Sequence, residues 1–136
     1  MFEVETRTVA GRPAAVGSAG PYTLVVDRPA DGGGDGIGFN GGQLLYLAVA
    51  RCVSNDIYRE AAGMGVRVDC VRVRVTGDFG GDPPVSGPIS YEVEIEGDDP
   101  ERLRELVQHV DRIAEIPNSL RGATEVRLGE VRVSGP

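Results

Sequence analysis

Polar and apolar residues alternate through Phe2–Val9 (FEVETRTV) and again through Tyr22–Asp27 (YTLVVD), the period of two expected of half-buried strands. The turn-rich GRPAAVGSAGP between them includes Ala14–Val16, a short piece able to pair, so the chain opens on a small meander. Pro29–Gly38 (PADGGGDGIG) is so glycine-rich that it predicts a flexible loop or lid. It has neither the lysine nor the glycine spacing of a phosphate cradle.

The period then changes to that of a helix. Asn40 is an N-cap, Gln43 three residues on closes a capping box, and Gly63-Met64-Gly65 supplies the C-terminal stop. Leu44, Leu45, Leu47, Ala48, Val49, Cys52, Val53 and Ile57 leave almost no polar face in the first half. Such a helix is expected to be buried nearly all round, inside the domain or against a second subunit, with SNDIYREAAG emerging toward solvent.

Alternation resumes in VRVDCVRVRVTGDF, where the apolar positions shift from Val66, Val68 and Cys70 to Val71, Val73 and Val75. A one-residue slip of this kind predicts a bulge. After the loop GGDPPVSGP, ISYEVEIE places Ile89, Tyr91, Val93 and Ile95 on one face. Glu92, Glu94 and Glu96 on the other face complement Arg72 and Arg74 across a hairpin, on a solvated surface rather than around a metal. Asp98-Asp99-Pro100-Glu101 starts a second helix with the stripe Leu103, Leu106, Val107, Val110 and Ile113, ending before Pro117. TEVRLGEVRV is a last strand, broken at Gly129. The order is strands, long helix, two strands, helix, strand, an α+β arrangement in one domain spanning residues 1–136.

Composition narrows the functions. A formal charge of -7 argues against nucleic acid, which demands clustered Lys and Arg. Two cysteines are too few for a disulfide scaffold, and the single His109 cannot build a two-histidine metal motif. His109, among charged residues, is expected at the surface with no role. With no visible signal peptide and no apolar run approaching a membrane span, the expected location is the cytoplasm, with neither a membrane nor a cofactor as partner.

Three pieces resemble the OsmC/Ohr family of thiol-dependent hydroperoxide reductases. AGR (Ala10–Arg12) resembles its N-terminal glycine-arginine turn, NGGQLLYLAVARC its Asn-Pro-Glu-Gln/Glu-Leu pattern ending in the peroxidatic cysteine, and AEIPNSLRGATEVRL its later Cys-Pro-x-Ser segment. The resemblance implies a two-layer OsmC-like fold that forms an intertwined homodimer. It implies Cys52 as nucleophile and Arg12 as the partner of its thiolate. The glutamate that orients this arginine in the family falls at Gly42, and the resolving cysteine falls at Ile116.

A thiolate needs a nearby cation. Cys52 lies about three turns into its helix, beyond useful reach of the helix dipole, so Arg12 is preferred, with Gln43 as a substitute anchor for it. Without a cysteine at 116, an external thiol, a small dithiol or redox protein, must reduce the sulfenic acid, or Cys70 must serve. Helix and returning strand each span roughly 15 Å, which brings Cys70 back to the level of Cys52. Cys70 as a small apolar residue packed in the sheet is the alternative. Two readings of the whole chain follow. One is a hydroperoxide reductase acting on organic hydroperoxides. The other is a protein of the same fold that binds a small apolar ligand or runs a different reaction.

Overall fold

The computed structural model describes residues 1–135. Its opening alternation becomes a three-stranded antiparallel sheet, β1 (Glu5–Thr8), β2 (Ala15–Ala19) and β3 (Tyr22–Val26), with β2 in the middle. The short piece expected to pair, Ala14–Val16, overlaps the start of this central strand, which runs on to Ala19: Arg7 lies opposite Val16, and Val16 opposite Val25.

The glycine-rich segment departs from the expected flexible loop. It is folded around Asp27, whose carboxylate accepts the backbone N–H groups of Arg28 (2.7 Å), Asp35 (3.0 Å) and Ile37 (3.2 Å). A single 3-10 turn, Ala30–Gly32, lies inside it, and Val26 bridges Phe39 in parallel. Here the glycines serve backbone geometry rather than mobility. A Cβ at Gly34 would lie 2.2 Å from the Arg28 carbonyl oxygen, and Gly36 has φ +70°.

Helix α1 spans Gly41–Met64. Its capping box is formed as the sequence predicts: Gln43 N–H donates to Asn40 Oδ1 (2.8 Å), and Asn40 N–H donates to Gln43 Oε1 (2.9 Å). The expected all-round burial is not found within one chain. The buried apolar positions are Val49, Val53, Ile57 and Ala61, a single stripe of every fourth residue, while Leu47 is 47% exposed. Nor is the polar half all solvated, since Asp56 is only 2% exposed.

Strand β4 (Val68–Thr76) pairs with β7 (Ser90–Gly97), and a two-residue hairpin, β5 (Phe79–Gly80) with β6 (Val85–Ser86), occupies the intervening segment. The predicted slip is visible as two consecutive exposed residues, Asp69 and Cys70, between half-buried Val68 and Val71. Glu92, Glu94 and Glu96 face outward, and Glu94 lies 3.9 Å from Arg72.

Helix α2 (Pro100–Ile113) begins at the cap Asp99, whose side chain accepts the N–H of Arg102 at 3.2 Å. It ends before Pro117 as expected. Pro117 then falls within the first turn of a short α3 (Glu115–Arg121), where its missing N–H breaks no helical bond.

The last predicted strand is not formed. Residues 124–135 take no regular structure, and Val126 (93% exposed) and Val133 (89%) lie in solvent. Alternation predicts an extended chain, and the i,i+2 pairs Glu125–Arg127 and Glu130–Arg132 agree. A strand also needs a neighbouring ladder, which among the described residues this segment does not have.

The chain divides into two compact units. Met1–Arg51 with Val73–Val93 holds the first sheet, the Asp27 loop, the start of α1 and the β5–β6 hairpin. Cys52–Arg72 with the chain from Glu94 onward holds the rest, and its core is Val53, Ile57, Leu103, Leu106 and Val110.

Candidate active site

Cys52 is a free, half-buried thiol on α1. Helical spacing puts Asp56 one turn on, and the Cys52 Sγ faces Asp56 Oδ2 at 4.0 Å. A carboxylate taken so completely from water requires partners. Asp56 Oδ1 has them in Arg59 Nη1 at 3.0 Å and Asn55 Nδ2 at 3.3 Å. The polar chain continues from Arg59 Nε to Glu60 Oε1 (3.1 Å) and from Glu60 Oε2 to His109 Nε2 on α2 (3.1 Å). His109 is thus not idle: it ties α1 to α2 within its unit. The hydrogen bond to Glu60, then the charge of Asp56, raises the Arg59 pKa. Hydrogen bonds from Arg59 and then His109 hold the Glu60 carboxyl below its ordinary value.

Arg12 lies in the other unit, in the turn after β1, where its N–H donates to the Val9 carbonyl at 2.9 Å. Its guanidinium meets Asp35 as a two-pronged fork, Nε to Oδ2 at 3.0 Å and Nη2 to Oδ1 at 2.7 Å. That hydrogen bond and the Asp35 charge raise the Arg12 pKa. Asp27 is 5% exposed, and its pKa is lowered by the N–H of Arg28 first, against the opposing effect of burial, and by those of Ile37, Asp35 and Gly36.

Gln43 does not hold Arg12, because its side chain is used in the capping box. At Gly42 the ring of Phe79 stands 2.8 Å from where a Cβ would be, stacked on Tyr46 with centroids 5.6 Å apart. Tyr46 is in turn fixed by a 2.9 Å hydrogen bond between its hydroxyl and Ser86. Ile116 is half-buried in α3. Cys70 is a free thiol and exposed, which corrects its reading as a packed apolar residue.

Sequence reasoning missed Asp27, Asp35 and Asp56. For Asp27 a signal was present, since an aspartate at a strand end before a glycine-rich run readily accepts loop amides, whereas Asp35 lies within the run and its partner Arg12 is 23 residues away. For Asp56 the only signal was its i+4 spacing from Cys52. Among the described residues, no helix is long and apolar enough to cross a membrane.

Residues 32–129 match the family model described as OsmC-like protein. No curated protein matches the chain. Among solved structures, an OsmC-like protein from Mycoplasma pneumoniae superposes with a TM-score of 0.78 at 16% identity, covering 91% of this chain and 89% of its own. The organic hydroperoxide resistance protein OsmC from Legionella pneumophila gives 0.71 at 20% identity, covering 90% of each chain. An organic hydroperoxide resistance protein of Bacillus subtilis gives 0.65 at 18% identity, covering 90% of this chain and 91% of that one. At these identities the likeness is one of fold.

Proposed function

Because the chain belongs to the OsmC-like family, we propose that it is a thiol-dependent reductase of organic hydroperoxides, with Cys52 as nucleophile and Arg12 as the partner of its thiolate. The observation that carries this reading is that Cys52 is a free and half-buried thiol, and its place as the family's cysteine is taken from the sequence resemblance. The role of Arg12 is taken from the family pattern.

The Cys52 thiolate attacks the outer oxygen of ROOH; the O–O bond breaks, and the alkoxide takes a proton and leaves as ROH. Sulfur is oxidised to the sulfenic acid. An external thiol then condenses with it, releasing water, and a second thiol equivalent frees Cys52 by exchange. Position 116 offers no sulfur for this step. The substrate class is apolar organic hydroperoxides.

The working form is a homodimer. The exposed apolar residues of 124–133 support it, since an extended segment without a ladder gains one from a second chain.

A second reading, binding of a small apolar ligand without peroxide chemistry, is favoured by one observation. An open groove of about 460 Å³ on the first sheet is lined by Val4, Leu24, Val26 and Leu44 among others. Consumption of cumene hydroperoxide with a dithiol separates the two readings. Native protein is expected to consume it and Cys52→Ser to fall to background. Equal background rates for both would leave the binding reading.

A further inference from the structure

The reading of Arg12 above requires its guanidinium to be held, and the acid used for this in the family pattern is absent at Gly42. We infer that Asp35 does this work as a positioning residue, fixing Arg12 from the glycine-rich loop, with Asp27 fixing Asp35; the inference rests on that reading of Arg12.

Three observations converge. The fork between Arg12 and Asp35 is two-pronged, at 2.7 and 3.0 Å, which sets the plane of the guanidinium as well as its position. It leaves three of the five guanidinium N–H groups outside the fork and available to a thiolate or a peroxide oxygen. The fork is also tertiary, joining residues 23 apart in sequence, unlike the local pairs Glu125–Arg127 and Glu130–Arg132.

Asp35 is itself anchored. Its own N–H donates to Asp27 Oδ2 at 3.0 Å, and that buried carboxylate is pinned by the N–H groups of Arg28 and Ile37 as well. Thus Asp27 sets the Asp35 backbone, and Asp35 sets Arg12. Finally, the Phe79 ring lies over Gly42, so an acid at that helix position would have to displace it.

A positioning role and a merely neutralising one predict opposite signs. If Asp35 only offset the charge of Arg12, its loss would strengthen the cation and speed Cys52. If it positions Arg12, its loss slows Cys52.

The test measures kcat and KM for cumene hydroperoxide with dithiothreitol, together with the rate of Cys52 alkylation by iodoacetamide followed by peptide mass. The proteins are native, Arg12→Ala, Asp35→Asn, Asp35→Glu and Arg12→Ala/Asp35→Asn, each checked for native circular dichroism. Asp35→Asn is expected to slow both reactions roughly three- to tenfold, and to add nothing once Arg12 is alanine. Asp35→Glu, which can rebuild the fork, is expected to recover part of the loss. Unchanged or faster reaction in Asp35→Asn, with Arg12→Ala slow, overturns the inference and leaves the reading of Arg12 standing. Native rates in Arg12→Ala overturn both.

Discussion

The ring of Phe79 covers Gly42: an ideal Cβ at this glycine falls 2.8 Å from Phe79 Cε2. The missing side chain at position 42 is therefore matched by an aromatic ring that fills its place.

The first prediction contrasts two glycines of α1. Gly63 has nothing within 4 Å of a built Cβ, so Gly63→Ala is expected to stabilise the protein by up to about 1 kcal/mol. Gly42→Ala displaces Phe79 from Tyr46, an aromatic contact worth about 0.5–1.5 kcal/mol, and is expected to show no net gain. Urea titrations of the two variants, and of Gly42→Ala with Phe79→Ala, check this; the double variant recovers the helix gain relative to Phe79→Ala alone.

Asn40→Ala removes the cap that accepts the Gln43 N–H. A loss of about 1 kcal/mol is expected, read as a lower denaturant midpoint at unchanged m-value. Because the cap starts the helix that carries Cys52, a larger loss would mean that the N-terminal turns unravel as a unit.

Acid should undo the loop through Asp27. Its folded pKa lies below the unfolded value, so its contribution is fully present above the ordinary carboxylate pKa of about 4. The contribution is lost as pH falls through its own lower value. In melting curves taken from about pH 5 downward, native protein is expected to lose stability more steeply than Asp27→Asn. The comparison cancels the other depressed carboxyls, Glu60 and Asp69, which both proteins retain.

Leu106 is fully buried on α2 in the core of its unit. Leu106→Ala is expected to cost about 2–5 kcal/mol by lost burial and a residual cavity. Thermal melts followed by far-ultraviolet circular dichroism measure it.

Wherever structure follows from nearby residues, the sequence could be read. The Asn40–Gln43 box, the Asp99 cap, the β4 slip at Asp69 and Cys70, and the outward glutamates of β7 are all set within a few residues. What escaped the reading depends on partners distant along the chain. Val126 and Val133 have the alternation of a strand, but pairing is a property of two segments. Asp35 looked like one more loop residue because its partner Arg12 lies beyond a whole hairpin. Asp56 looked like part of a solvated helix face until burial showed otherwise.

The Asp27 loop also bears on how this chain tolerates change. A filter for low-complexity sequence would discard PADGGGDGIG as uninformative, and a library designer would choose it for randomisation. Two of its positions are instead set by geometry: a Cβ at Gly34 would collide with the Arg28 carbonyl, and Gly36 occupies a left-handed conformation. In a substitution scan this stretch should stand out as intolerant, while the regular, alternating strand β1, exposed at every position, accepts nearly anything polar.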